Sequence, residues 1–160
     1  MFASWFKRGD ECSNTYKFGA VLGRGSFATV KRATRKGDGS GPAEVAIKCI
    51  SKKAMRDDDY QSFEMLQNEM DVMRQLLHEH IVRLIEVFDC ASTFYLVTEL
   101  CTGGEVFNRL AKKDHYSEDE ARAVLVQVNA ALHHCHSRVS STAKAHNSST
   151  MHGHIDLHCF

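Results

Sequence analysis

Over the first hundred residues, apolar and polar positions alternate in short stretches bounded by turn residues, and this predicts strands. Tyr16 to Leu22 leads into a turn at Gly23-Arg24-Gly25, Phe27 to Arg35 leads out of it, and Glu44 to Ile50 follows. Between the last two, Lys36 to Pro42 holds three glycines and the only proline, a turn by composition. Then the period changes. After a charged lead from Lys52 to Asp59, Phe63, Leu66, Met70, Met73 and Leu77 recur at steps of three and four, the apolar stripe of a helix. Ile81 to Phe88 and Thr93 to Leu100 read as two further strands joined by Asp89-Cys90-Ala91-Ser92. Gly103-Gly104 breaks the chain, and a short helix is expected from Glu105 to Lys112. Ser117-Glu118-Asp119-Glu120 is a capping box, which opens a long helix. Its stripe is Ala121, Val124, Leu125, Val128, Ala131, Leu132 and Cys135.

Glu69 breaks the pattern of the first helix. It lies three positions after Leu66 and four before Met73, along the stripe. A carboxylate facing a core is costly unless a cation meets it, and Lys48, near the end of the third strand, is the natural candidate. The other reading is a glutamate at the stripe's edge, turned to solvent.

Composition narrows the class of partner. The 160 residues carry 20 basic and 20 acidic side chains, so there is no general attraction to nucleic acid or to an anionic membrane. No run approaches the roughly 18 apolar residues that a membrane span requires. In Met1 to Arg8 the charges follow a short apolar run, the wrong order for a signal peptide, and Phe2 excludes N-terminal myristoylation. Six cysteines, Cys12, Cys49, Cys90, Cys101, Cys135 and Cys159, lack C-x-x-C spacing. A reduced intracellular protein, cytoplasmic in location, is the expectation.

The chemistry is concentrated at Leu22-Gly23-Arg24-Gly25-Ser26-Phe27-Ala28-Thr29-Val30 and Val45-Ala46-Ile47-Lys48. Two glycines one residue apart, between strands, either make a tight turn or let the backbone approach a phosphate where a side chain would block it. A lysine on the next strand supplies a point charge to the same place. At this spacing the two stretches match the opening of the protein-kinase signature set. Residues 16 to about 138 resemble a eukaryotic Ser/Thr protein kinase, with the character of the calcium/calmodulin-dependent kinase group.

The resemblance implies an α+β fold. A protein-kinase-like small lobe, a five-stranded antiparallel sheet plus one helix, would span 16–100, with a hinge at 101–104 and the first large-lobe helices at 105–138. Residues 1–15 would be an N-terminal extension, and 139–160 a non-homologous, disordered tail rich in Ser, Thr and His. The implied activity is phosphoryl transfer from ATP to protein Ser or Thr, with magnesium as the family's metal and a basic motif in the substrate. Residue by residue, Leu22 to Ala28 and Val30 look like the loop over the ATP phosphates. Lys48 looks like the lysine pairing the α- and β-phosphates, and Glu69 like its partner. Val30 and Ala46 would sandwich the adenine ring. Thr98 resembles the gatekeeper, Glu99 and Cys101 the hinge residues whose backbones bond adenine, and Glu105 the acid reaching the ribose. Met73 and Leu84 match the small-lobe half of the hydrophobic spine.

Two departures qualify it. Ala28 stands where the family often has a third glycine, a small change. After His136-Ser137-Arg138 the family continues to H-R-D-L-x-x-x-N, D-F-G and A-P-E, whereas this chain reads Val139-Ser140-Ser141-Thr142 and on to Phe160. The residues that accept the substrate proton and hold magnesium are therefore not among these 160. The chain reads as cut off within the domain and inactive by itself. The alternative is a non-catalytic module, binding nucleotide or a partner, derived from a kinase. His154-Ile155-Asp156-Leu157 echoes H-R-D-L, but Ile155 replaces the arginine and no Asn follows, so Asp156 is not expected to be catalytic. His152, His154, His158 and Cys159 have ligand types without the usual paired cysteines, so no metal site is expected.

Overall fold

The computed structural model describes residues 6–8, 11–25, 28–37, 41–53, 60–104 and 116–142. Six strands form one sheet in the order β1-β5-β6-β4-β3-β2. They are β1 (Phe6–Arg8), β2 (Tyr16–Arg24), β3 (Ala28–Arg35), β4 (Glu44–Ser51), β5 (Leu84–Asp89) and β6 (Thr93–Glu99). The five strands from β2 to β6 pair antiparallel throughout, as the family resemblance implies. The sixth was not foreseen. β1 lies parallel to β5, with Phe6, Lys7 and Arg8 opposite Val87, Phe88 and Asp89, and a short helix α1 (Glu11–Thr15) follows it. Within the stretch read as an extension, Phe6–Arg8 thus adds an edge strand, and Glu11–Thr15 brings Cys12 into the core.

Alternation in β4 separates two faces. Val45 and Ile47 are fully buried, while Ala46 and Lys48 between them are half-buried. On the Val45 face a core forms from Cys12, Tyr16, Ala33, Val45, Ile47, Phe88, Cys90 and Val97. Burial pushes the Cys12 thiol up to about 12, so it packs as a small hydrophobe and is not a nucleophile. Backbone groups fix α1: Lys36 N–H donates to the Thr15 carbonyl at 2.8 Å and its ammonium to the Ser13 carbonyl at 2.7 Å.

This face also buries a charge. Glu86 is 8 % exposed, beside a register shift in β5. The Tyr16 hydroxyl donates to its carboxylate, Arg35 Nη2 reaches it at 2.7 Å and Lys7 Nζ at 2.9 Å. One carboxylate therefore ties β1, β2 and β3 to β5. Burial alone works against its charge, but Tyr16, Lys7 and Arg35 outweigh burial and hold the carboxyl below its ordinary value. The same burial, with the bond to Glu86, pushes the Tyr16 phenol up.

Strand β2 is bulged between Phe18 and Val21, and Gly19 lies in the bulge. A Cβ there would meet the Arg32 carbonyl oxygen at 3.2 Å, and that oxygen belongs to a paired strand that cannot easily yield. Gly19→Ala should accordingly cost about 1 kcal/mol or more, read as a lower denaturation midpoint.

Helix α2 (Tyr60–Gln75) divides between two compact units, the first holding the sheet and the second running from Asn68 to Arg83 and from Cys101 onward. Leu66 and Met70 are buried and Met73 half-buried, as the stripe requires. Leu77 departs from it, being 71 % exposed, while Leu76 is buried. The helix ends at Gln75, and Leu76 N–H turns back to the Met73 carbonyl at 3.3 Å, which rotates the face by one position.

Helix α3 (Glu118–Thr142) opens on the expected capping box. Ser117 N–H donates to the Glu120 carboxylate at 3.1 Å, and Glu120 N–H donates to Ser117 Oγ at 3.2 Å. Ala131 and Cys135 are buried; Leu125, placed on the stripe, is 59 % exposed. It lies six residues before Ala131, about 120° around the helix at ~100° per residue, outside the narrower face that packs. The helix runs through Thr142, past the expected end at 138. The short helix expected at 105–112, the Phe63 side chain and the tail from 143 lie outside the described residues.

Candidate functional site

Direct partners across antiparallel strands share a face, so register places the candidate residues. Gly23 lies opposite Val30, Val30 opposite Lys48, and Lys48 opposite Leu96. The neighbouring row runs Arg32, Ala46, Thr98, Leu84. Both rows lie on the face away from the Tyr16–Phe88 core. Thr98 Oγ1 donates to the Ala46 carbonyl at 3.4 Å, fixing the threonine beside that alanine. Four sequence candidates, Val30, Ala46, Lys48 and Thr98, are thereby brought together, and Gly23 joins them at the edge. Ala28 continues the same face opposite Ile50.

Gly23 lies at a second register shift of β2, between Val21 and Gly23. A Cβ built there meets nothing within 4 Å, and Gly23 is not among the glycines with positive φ. At Gly25 a Cβ would make only ordinary contact with the Ala28 carbonyl at 3.7 Å. Gly25 N–H donates to that carbonyl at 2.8 Å and closes the turn. Gly23 differs in this from Gly19, where a Cβ would meet the Arg32 carbonyl oxygen at 3.2 Å. Leu22 and Arg24 beside it are exposed.

Two contributors escaped the sequence reading. Leu96 is 1 % exposed and stands directly beside Lys48 on the candidate face. Its position two before Thr98 in an alternating strand was the available signal. The second is a surface pair: the Arg32 guanidinium grips both Glu44 carboxylate oxygens at 2.6 Å. Its bonds to Glu44 hold Arg32 above its usual range and satisfy the cation locally.

The remaining candidates are placed separately. Glu99 lies opposite Val45, at the end of β6. Glu69, half-buried on α2, and Cys101, half-buried after β6, belong to the second unit. Cys12, Cys49, Cys90 and Cys135 are free. Ser26, Phe27, Glu105 and Asp156 lie outside the described residues, as do the tail histidines and Cys159. Among the described residues no group of three or more His, Cys, Asp or Glu could hold a metal ion, and no helix is long and apolar enough to cross a membrane.

A glycine turn, a strand lysine and a threonine near the end of the neighbouring strand thus share one face of an antiparallel sheet. The protein kinase domain family matches residues 16–140, and the chain belongs to that family. Among characterised proteins, one described as a probable myosin light chain kinase of Dictyostelium discoideum is 38 % identical over 130 residues, covering 81 % of this chain and 32 % of the relative. Calcium-dependent protein kinase 5 of Plasmodium falciparum is also 38 % identical over 130 residues, covering 81 % of this chain and 22 % of its own length. Calcium/calmodulin-dependent protein kinase type 1 of Caenorhabditis elegans is 40 % identical over 121 residues, 76 % of this chain and 33 % of the relative. The chain thus spans between about a fifth and a third of these relatives.

Proposed function

We propose that these residues form the nucleotide-holding part of a Ser/Thr protein kinase domain, and that the 160-residue polypeptide by itself does not transfer phosphate. The observation that supports the reading is the row Gly23–Val30–Lys48–Leu96, in which a lysine and a glycine with room for a side chain lie on one face, two strands apart. In this reading the backbone at Gly23 and Gly25 approaches the phosphates of ATP and Lys48 supplies charge to them; Glu69 is the carboxylate that the family resemblance assigns to such a lysine. Ser26, Phe27 and Ala28 complete the loop, between Leu22 and Val30. Val30 and Ala46 flank the adenine ring, Thr98 bounds its pocket, and the backbones at Glu99 and Cys101 bond its edge. Glu105 serves the ribose. Magnesium, when bound, neutralises phosphate charge in this family, and its family ligands belong to motifs that these 160 residues do not contain. The acceptor would be a protein Ser or Thr, in keeping with the named relatives.

Positioning of the attacking group accounts for ~7–11 kcal/mol of such a barrier, which Lys48 alone cannot offset. With labelled ATP and a basic peptide, the polypeptide and its Lys48→Met and Asp156→Asn variants should all stay at background. ATP binding by calorimetry should be weak and weaker still in Lys48→Met. Transfer abolished by both substitutions would mean that the tail supplies a working base. Magnesium-dependent micromolar affinity would mean that metal ligands exist where none are assigned.

A further inference from the structure

In the second unit three imidazoles meet where the chain leaves α2. The His78 ring lies 5.1 Å from His134 of α3, tilted 36°, and 5.4 Å from His80 in edge contact. One feature of this cluster fixes a ring and another opposes protonation. His78 Nδ1 accepts the His80 backbone N–H at 3.1 Å, which orients the His78 ring. His134 Nε2 is buried without a hydrogen-bond partner, so a proton on it would find no acceptor.

From this geometry we propose that the stacked His78–His134 pair is a proton-sensitive latch, which holds the loop after α2 on α3 while the His134 ring is neutral and releases it when that ring charges. The surroundings favour that direction. Burial, then His78, Arg138 and His133, hold the His134 imidazole below its ordinary value. On the loop side the neighbours are His80 and Glu79, whose carboxylate lies 3.6 Å from His80 Nε2. Glu79 is largely exposed, and its charge is directed to His80 at the outer side of the cluster. Asp71 and Arg74, on the last turns of α2, are exposed, and burial keeps the Cys135 thiol uncharged. A charge on His134 would meet the Arg138 guanidinium as a like charge.

The sign of the linkage follows. A histidine whose proton affinity is lower when latched binds its proton in the open state, so the latch is complete above the free value near 6.5 and weakens as pH falls below it. One ring fully shielded from protonation raises the opening constant about tenfold between pH 7.5 and 5.5.

Hydrogen exchange on the full chain, corrected for intrinsic rates, tests this. The amides of His80 and Ile81, the latter bonded to the His78 carbonyl at 3.1 Å, should lose about tenfold protection over that range. The sheet amides of Ile47 and Val97 should not. His134→Phe keeps an aromatic ring in the stack without titrating and should flatten the response. Should that variant fail to fold, the ring resonances of the unsubstituted chain decide, with His134 expected to titrate below 6.5. Protection that ignores pH, an unchanged response in His134→Phe, or a His134 midpoint at or above 6.5 would each overturn the latch.

Discussion

Replacing Glu86 by leucine should destabilise the chain by about 3–5 kcal/mol, the usual cost of removing one partner from a buried ionic cluster. Leucine would face apolar neighbours, Val97 across the strand pair and Phe88 two residues on, so the loss is expected not to be one of packing. It comes from what remains: the Arg35 guanidinium, 13 % exposed, and the Tyr16 hydroxyl would lie buried without their acceptor. Arg35 Nε already lacks a partner, which leaves the guanidinium little to fall back on. Adding Arg35→Leu and Tyr16→Phe removes the stranded groups and should restore much of the loss, since these sites are coupled. Denaturant midpoints of the single and triple variants decide the matter. A triple variant as unstable as Glu86→Leu would show that shape, and not charge, sets the cost.

The same carboxylate gives a pH signature of opposite origin to the histidine latch. Its folded value lies below the unfolded one, so its contribution is complete above the ordinary carboxylate range and is lost as pH falls through the folded value. Acid unfolding that is displaced to higher pH in Glu86→Gln, with the slope between pH 5.5 and 7.5 unaltered, would separate the two groups. Glutamine keeps a hydrogen bond to Tyr16 while discarding the charge.

Much of this was legible in the chain because each piece rests on a local signal. Strands β2 to β6 follow from alternation, and the opening of α3 follows from Ser117 and Glu120 alone. The register that sets Lys48 beside Val30 needed only correct strand boundaries, since period two fixes faces once pairing is known. What escaped depends on distant partners. Phe6–Arg8 is too short to show a period, and it becomes a strand only because β5 offers an open edge and Glu86 awaits Lys7. Glu86 itself reads as an ordinary polar position in an alternating strand, and its cations come from residues 7 and 35. Leu77 and Leu125 were placed by regular spacing, which cannot see that a helix ends in a tightened turn or packs over a narrow face. The Glu69 question is of the same kind: periodicity puts it on the stripe but is silent on the cation that meets it.

Gly23 offers the sharpest separation of fold from function. Gly23→Ala should leave stability unchanged or raise it by ~0.4–1 kcal/mol, because alanine restricts the unfolded chain and the native site has room for a methyl. Nucleotide affinity should nonetheless fall about tenfold, ~1.4 kcal/mol, because the methyl occupies the side from which a phosphate must approach. Gly19→Ala should do the reverse, losing stability through the Arg32 carbonyl 3.2 Å away while touching no candidate residue. Lys48→Met should lower affinity by at least as much as Gly23→Ala, since bonds to charged groups contribute ~1.5–3 kcal/mol, and it leaves the buried Val45 face untouched. A fluorescent ATP analogue titrated against the three variants, beside their denaturation curves, reads both quantities. If Gly23→Ala unfolds like Gly19→Ala, the glycine serves the turn. If it is stable and binds nucleotide as tightly as the unsubstituted chain, phosphate does not approach there, and the row that ends on Lys48 has some other use.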